Sequence, residues 1–259
     1  MEWSQQSKLT CTRCKQDRAA EHETKELVLH VAVPHCNADS TREKSKTYKM
    51  QDLIDHYFNV PEFLDEDTYC PGCQSTTPTL KTFSMVDPPE FLVIQALLFK
   101  FKNGESHKLS VVVQPDDISI ILAGPPDTQP VIYRAYAVVS HEGTSPVSGH
   151  YIATACGSGC TARSPQCGYS QGRCWWLFND RKVSGPMSKS DALDMVLKQV
   201  SNLYSSRIIM QLMRFCLQAK PYMFFYVRCT ADGSSASSPT CSLCDRGQQW
   251  RNFLKTSLM

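Results

Sequence analysis

The chain has 259 residues, of which 42% are hydrophobic, and its 27 Lys and Arg against 25 Asp and Glu leave a formal net charge of +2. A balance so close to neutral argues against nucleic acid or an anionic membrane as the main partner. The sequence has no run of about 18 apolar residues, so we expect no membrane-spanning helix. Its first ten residues lack the basic and apolar regions of a secretory signal.

The first predicted elements are a strand and an amphipathic helix. Residues 27–33 are rich in β-branched side chains and end at Pro34, which predicts a strand, and the polar residues 35–47 predict a loop. Apolar side chains recur at helical spacing in residues 50–58, which predicts a helix. The apolar stripe of this helix consists of Met50, Leu53, Ile54, Tyr57 and Phe58.

The middle of the chain predicts a series of strands. Residues 91–101 are almost continuously apolar and lie between Pro88-Pro89 and Asn103-Gly104, so they predict one buried strand. Residues 124–130, rich in Pro, predict a loop. Further strands are predicted at 109–113, 118–122, 131–140, 150–155, 174–179 and 222–228.

The C-terminal part predicts a second helix and then a polar tail. Apolar residues recur every three or four positions within 188–216, and Ser188 with Asp191 forms a capping pattern at its start. Residues 230–240 are of low complexity and predict disorder. The chain is therefore predicted to be α+β, with mainly antiparallel strands and a few helices.

Two Cys-x-x-Cys knuckles, Cys11/Cys14 and Cys70/Cys73, form the most specific pattern for a metal. Each knuckle can turn two thiolates toward one tetrahedral zinc ion, and the long gap between them is acceptable if both lie at the tips of paired hairpins. Four reduced loop cysteines are the alternative, but two pairs of identical spacing favour structural zinc. Redox chemistry is disfavoured because neither knuckle joins a strand to a helix in a βαβ pattern.

The other cysteines give weaker signals. Thirteen cysteines, an odd number without a signal peptide, argue against a disulfide framework. Cys241 and Cys244 form a third pair that has no evident partner pair. Four more cysteines crowd a Gly- and Ser-rich loop, where thiols without a metal are favoured over a second metal site. These four are Cys156, Cys160, Cys167 and Cys174.

A histidine and two polar residues form a candidate catalytic pattern. A strand is predicted to end at residues 141–143, a small-residue loop follows, and a new strand begins at Gly149-His150. If the strand that ends at Asn179-Asp180 is its neighbour, one of these two residues reaches one ring nitrogen of His150. That arrangement is the base and orienting residue of a Cys-His-Asn/Asp triad, in which the histidine takes a thiol proton. The alternative is a structural histidine beside an ordinary turn.

The order of these motifs resembles the second part of the catalytic domain of ubiquitin-specific proteases. The resemblance covers roughly residues 7–228 and implies a papain-like cysteine protease palm, an antiparallel sheet, with a zinc-binding β fingers subdomain. It implies zinc-binding fingers at 1–85, a palm at 86–229 and a tail at 230–259. The motifs that carry it are the two knuckles, DLIDHYF, PPEFLVIQALLFKF, YAVVSHEGTSPVSGHY, WWLFNDRKVS and AKPYMFFYVR.

The resemblance also implies roles and partners. His150 matches the general base, Asn179 the residue that orients it, and Asp180 an assisting polar residue. Residues 141–149 match a mobile loop near the ubiquitin tail, and Lys100 stands where the family usually has arginine. The implied cofactor is structural zinc on the four knuckle cysteines. The implied partners are ubiquitin and ubiquitinated proteins, in the cytoplasm or nucleus.

The family's nucleophilic cysteine box and its thumb have no counterpart in this sequence. Cys36 lies in a polar loop with no apolar helix after it, so we expect it to be a bystander. The first hypothesis is therefore a deubiquitinase-family domain that has no turnover by itself. The second is a non-catalytic module that binds ubiquitin or another protein, and the third is a truncated chain with no independent fold.

Overall fold

The computed structural model describes residues 2–34, 46–102, 104–109, 111–124, 128–146, 148–158, 173–197 and 219–229. The helices in these ranges are α1 (Met50–Asn59) and α2 (Lys189–Leu197). The strands are β1 (Trp3–Cys11), β2 (Asp17–Glu26), β3 (Leu29–Ala32), β4 (Lys46–Lys49), β5 (Glu62–Cys70), β6 (Ser75–Asp87), β7 (Phe91–Leu97), β8 (Phe99–Lys102), β9 (Glu105–Lys108), β10 (Val111–Gln114), β11 (Ile118–Ile120), β12 (Val131–Ser145), β13 (Ser148–Ser158), β14 (Arg173–Asn179), β15 (Lys182–Met187) and β16 (Lys220–Arg228).

A four-stranded antiparallel sheet is built from two long hairpins, β1–β2 and β5–β6, in the order β2-β1-β6-β5. Its strands carry mostly Ser, Thr, Gln and charged side chains. Its large buried apolar side chains, Trp3 and Met85, lie at the end of the sheet where β1 begins and β6 ends, and both belong to the main core. With so little apolar surface of its own, this sheet depends on other contacts for stability.

A larger sheet has the order β15-β14-β13-β12-β16-β7-β3, with β11 paired to β12. Its strands are antiparallel except for β3, which runs parallel to β7. β3 and α1 fall within the predicted fingers range 1–85 and yet pack with this sheet, and the division at residue 85 stays a prediction. The core of the sheet includes Leu92, Ile94, Val138, Phe224 and Tyr226, together with Met50, Leu53 and Ile54 of α1.

The structure describes the first predicted helix in full and the second only to Leu197. The amphipathic helix at 50–58 is confirmed as α1, whose apolar stripe faces the core and which ends before Pro61. The cap of α2 is also confirmed, because the Asp191 backbone N–H donates to Ser188 Oγ at 3.0 Å. The predicted continuation of α2 to residue 216 lies outside the described residues, as do the tail at 230–240 and nearly all of the loop at 35–47. No helix in the described part of the chain has the length and hydropathy that a membrane span requires.

Several predicted strands have different limits in the structure. The apolar run 91–101 divides at Leu98, which is buried while its carbonyl accepts from the Leu109 N–H at 2.7 Å, and β8 then pairs with β9. The predicted strand 27–33 shortens to β3, because the chain bends at Leu27 and exposes that side chain. The predicted loop between residues 141 and 149 is mostly a hairpin, since β12 continues to Ser145 and β13 begins at Ser148.

Candidate active site and metal centre

His150, Asn179 and Asp180 lie together at one end of the large sheet. β13 and β14 are antiparallel neighbours with Ala153 opposite Phe178, so His150 near the start of β13 comes beside the end of β14. His150 Nε2 lies 2.6 Å from Asn179 Oδ1 and 3.9 Å from Asp180 Oδ2. With the amide oxygen accepting, the Nε2–H is the donor and the lone pair is on Nδ1.

The turn after β14 explains how two consecutive residues both approach the imidazole. Asn179 pairs with Lys182, so β14 and β15 are joined by a two-residue turn of Asp180 and Arg181. Asp180 adopts a φ of 49°, a left-handed conformation that Asp tolerates better than most residues. The Asp180 side chain is 77% exposed, whereas that of His150 is 33% exposed, so the carboxylate lies on the solvent side of the pair.

Glu142 lies directly across from His150 in the β12–β13 ladder. Burial raises the pKa of Glu142, while the nearby His150 and Lys108 oppose that rise. The sequence offered little to single it out, because a glutamate at the end of a strand is usually a solvated surface residue. The imidazole therefore has carboxylates on two neighbouring elements, Glu142 on β12 and Asp180 after β14.

His141 lies within this ladder and Lys108 lies beside it. Neither was predicted from the sequence as a site residue. His141 is 1% exposed and pairs with Tyr151 of β13 and with Lys220 of β16. Burial, followed by the charge of Lys108, lowers the pKa of His141. Lys108 Nζ reaches His141 Nδ1 at 3.1 Å. A lysine at the end of a short hairpin has no sequence signal that distinguishes it from a surface lysine.

The two Cys-x-x-Cys knuckles meet, as the metal prediction requires. Cys11 ends β1 and Cys70 ends β5, so each knuckle forms the turn of one hairpin of the four-stranded sheet. The Sγ atoms of Cys11 and Cys73 are 3.9 Å apart and those of Cys14 and Cys70 are 3.6 Å apart. All four lie within 4.8 Å of one another.

The two knuckles have the same backbone geometry. The residue after the second cysteine is left-handed in both, with φ of 59° at Lys15 and 51° at Gln74. Gly72 of the second knuckle lies against the first knuckle, since a Cβ at this position would be 3.5 Å from Cys14 Sγ. Both turns therefore direct their thiols to one shared point.

The chemistry of this four-cysteine cluster fits a dication. Zinc–sulfur bonds of about 2.3 Å in a tetrahedron place the sulfurs about 3.8 Å apart, which agrees with the two closest pairs. The Thr77 hydroxyl, followed by a backbone hydrogen bond, lowers the pKa of Cys11 to about 5. Burial raises the pKa of Cys73 to about 12. A dication would offset the repulsion between four thiolates this close together, so the residues present fit a structural zinc ion.

The remaining predicted cysteines lie elsewhere. Cys174 is disulfide-bonded, so the prediction that it is a thiol is wrong. Cys156 is not in a disulfide. The cysteines that lie outside the described residues are Cys36, Cys160, Cys167, Cys216, Cys241 and Cys244.

Residues 2–226 match the family described as ubiquitin carboxyl-terminal hydrolase. The chain is 30% identical over 131 residues to ubiquitin carboxyl-terminal hydrolase 10 of Saccharomyces cerevisiae, which covers 48% of this chain and 16% of that relative. It is 27% identical over 186 residues to human ubiquitin carboxyl-terminal hydrolase 2, which covers 71% of this chain and 27% of the relative. The chain therefore spans about a quarter or less of these relatives.

Solved structures show a similar fold. The SAGA Ubp8/Sgf11/Sus1/Sgf73 DUB module bound to ubiquitin aldehyde matches 88% of this chain and 41% of its own chain, with a TM-score of 0.57 and 23% identity. A variant of that module bound to monoubiquitin matches with a TM-score of 0.60 and the same coverage. At this identity the likeness establishes the fold, which is mainly sheet with few helices.

Proposed function

We propose that this chain, which belongs to the ubiquitin carboxyl-terminal hydrolase family, is the ubiquitin-gripping and histidine-bearing part of a thiol-dependent deubiquitinase. The observation that carries the proposal is the contact of 2.6 Å between His150 Nε2 and Asn179 Oδ1. In this proposal the large sheet is the palm of a papain-like protease, and the four-stranded sheet forms its fingers.

His150 is the proposed general base and acid. It takes the proton of a cysteine thiol, and the thiolate attacks the carbonyl carbon of the isopeptide bond that follows the C-terminal glycine of ubiquitin. His150 then protonates the leaving lysine amine, and water hydrolyses the acyl-enzyme. Asn179 holds the Nε2–H, which leaves Nδ1 as the basic atom, and the exposed Asp180 stabilises the imidazolium.

The attacking thiol is proposed to come from a segment that this chain does not carry. Cys156 follows His150 by six residues on β13, a separation of about 20 Å at about 3.3 Å per residue. Cys229 lies just beyond β16 and is nine residues from Lys220, which pairs beside the site, a separation of about 30 Å. The knuckle cysteines form their own cluster, and Cys174 on β14 is disulfide-bonded and so offers no thiol. Among the described cysteines we therefore assign no nucleophile.

The zinc ion is proposed to act as a structural clasp. It would be held by Cys11, Cys14, Cys70 and Cys73 and would supply a cross-link between two hairpins rather than chemistry on a substrate. A fingers sheet cross-linked in this way would present a rigid surface to the globular part of ubiquitin. Ubiquitin and ubiquitinated proteins are the proposed partners, and the cytoplasm or nucleus remains the proposed location.

A non-catalytic ubiquitin-binding role is the second candidate, and the distance of the described cysteines from His150 favours it. A ubiquitin derivative with a C-terminal electrophile separates the two functions. We expect the 259-residue chain to bind ubiquitin in an NMR titration without forming a covalent adduct. Formation of an adduct would contradict the proposal that the nucleophile is missing from this chain. Absence of binding at several hundred micromolar ubiquitin would contradict the proposal that the chain recognises ubiquitin.

The matched control for this experiment is the Cys156→Ser variant, because Cys156 is the cysteine described on the same strand as His150. If an adduct does form, its loss in Cys156→Ser assigns the label to that thiol. If the adduct persists, peptide mapping by mass spectrometry identifies the reactive cysteine. Circular dichroism of each variant checks that the chain is folded before binding is interpreted.

A further inference from the structure

Lys108 uses its ammonium group to hold one side of the hairpin that carries His150. Its Nζ donates to the His141 carbonyl, to the Gly143 carbonyl at 3.1 Å and to His141 Nδ1 at 3.1 Å. A lysine ammonium has three N–H donors, so these acceptors account for all of them. Lys108 comes from β9, an element outside the large sheet, and so ties the β8–β9 hairpin to β12.

The two residues that Lys108 contacts lie at the point where the β12–β13 ladder becomes irregular, His141 just before it and Gly143 within it. His141 pairs with Tyr151 and Glu142 with His150, and the register then shifts before Ser145 pairs with Ser148. A ladder with a register shift holds its strands less regularly than a continuous one. Gly143 lies within this shift at a φ of 131°, and Lys108 binds its carbonyl where the regular pairing of the strands is interrupted.

The His141 ring forms the surface against which Gly149 lies. A Cβ at Gly149 would overlap His141 Nε2 and the Glu142 carbonyl oxygen, so the backbone just before His150 is in close contact with His141. The ring also packs against Phe99 and Tyr151, with ring centroids 5.7 and 4.9 Å away. A rotation of the His141 ring toward Gly149 would displace that residue, and with it the start of β13.

We propose that Lys108 is a positioning residue for His150: by fixing the His141 ring and the Gly143 carbonyl, it sets the β13 backbone that aims the His150 imidazole at Asn179. This inference rests on the proposed function, because it assigns a task to Lys108 only if the His150–Asn179 pair is the working one. Lys108 does not itself touch the reacting groups.

The cost of placing a cation here makes an incidental contact a poor explanation. Lys108 is partly buried, and the second lysine that acts on it, Lys220, is also partly buried. Burial, followed by the charge of Lys220, lowers the pKa of Lys108 to about 8, with Glu142 opposing. A surface lysine would avoid both effects, whereas this one makes three specific contacts with His141 and Gly143 of β12. The residue between these two, Glu142, is the strand partner of His150.

The test is the tautomer of the His150 imidazole, read from its ¹⁵N chemical shifts in the 259-residue chain near neutral pH. In the wild-type chain we expect the Nε2–H form to predominate. Lys108→Met removes the three donors at nearly constant length, and we expect it to lower the ratio of Nε2–H to Nδ1–H by about threefold or more. Loss of an ordinary hydrogen bond changes such a ratio by about two- to twelvefold. Lys108→Arg, which keeps the charge and the donors, should restore at least part of the ratio.

Two further variants separate the possible failures. Lys182→Met removes an exposed lysine opposite Asn179 and should leave the ratio unchanged. Asn179→Ala should lower it, and if it does not, the proposed His–Asn pair itself is wrong. If Asn179→Ala lowers the ratio while Lys108→Met leaves it at the wild-type value in a folded chain, only the role of Lys108 is overturned. An equal drop in Lys108→Met and Lys182→Met would also overturn it, because charge alone would then explain the effect.

Discussion

His150 Nε2 and Asn179 Oδ1 lie 2.6 Å apart although the residues are 29 positions apart in the sequence. The β13–β14 ladder brings them together, because it places the start of one strand beside the end of the other. Both members of this pair, the proposed base and the proposed orienting residue, lie in this chain. Its strength can be measured without a nucleophile or a substrate.

We predict that His150→Ala and Asn179→Ala are not additive. Each removes one half of the hydrogen bond, and a double-mutant cycle on the free energy of unfolding should give a coupling of about 0.5–1.5 kcal/mol. Urea denaturation followed by circular dichroism provides the measurement. The control cycle pairs His150→Ala with Lys182→Ala, an exposed neighbour on β15, and should be additive. Additivity within about 0.3 kcal/mol for the His150–Asn179 cycle would contradict the prediction.

Zinc removal should loosen the four-stranded sheet. The sulfur pairs at 3.6 and 3.9 Å join two hairpins that have little apolar contact of their own. We therefore expect one zinc per chain by elemental analysis, and a lower melting temperature after chelation or in Cys73→Ser. Cys156→Ser, a substitution outside the cluster, should keep both the zinc and the melting temperature. Equal zinc content in the two variants would rule out the four-cysteine site.

The sequence predicts the features that depend on local pattern. The helix at 50–58, the Ser188 cap and the two knuckles each follow from residues a few positions apart, and the structure contains all of them. The strands of the four-stranded sheet were missed because their polar residues give no alternation of apolar side chains. These strands are stabilised instead at the two ends of the sheet, by Trp3 and Met85 in the main core at one end and by the four-cysteine cluster at the other.

Some residues of the candidate site can likewise be predicted from local pattern, and others cannot. His150, Asn179 and Asp180 follow motif order, so they were found from the sequence before the structure placed them together. Lys108 and Glu142 were not found, because their environment arises only when β9, β12 and β13 come together. A lysine that hydrogen-bonds two carbonyls from another element has the same local sequence as one that faces solvent.

The contribution of Lys108 to stability should increase with pH. Burial, followed by the positive charge of Lys220, lowers its pKa from 10.5 to about 8, while Glu142 opposes this. Between these values the unfolded chain retains a proton that the folded chain has lost, so the free energy of unfolding rises with pH. The penalty for the buried charge is fully present below about pH 8.

Comparison of the wild-type chain with Lys108→Met isolates this contribution from other titrating groups. Between about pH 7.5 and about pH 9.5, the difference in the free energy of unfolding should move in favour of the wild-type chain. His141 titrates below this interval, since its pKa is also lowered. A difference that stays constant or falls would mean that Lys108 keeps its ordinary pKa. Lys182→Met, measured in parallel, should show no such trend.

Gly149→Ala should be far more damaging than another glycine substitution on the same strand. A Cβ at position 149 would overlap the His141 ring, which Lys108 contacts, and the Glu142 carbonyl oxygen, which belongs to the β12 backbone. A clash with fixed backbone and a buried ring costs about 1–3 kcal/mol or more. Gly157→Ala is the matched control, because its Cβ would approach only Trp176, at 3.4 Å, an ordinary contact. Thermal unfolding and the His150 ¹⁵N shifts measure the two consequences, stability and imidazole placement. If both variants behave alike, the close packing of His141 beneath Gly149 does not control the position of His150, since the same methyl group would then have been accommodated at either site.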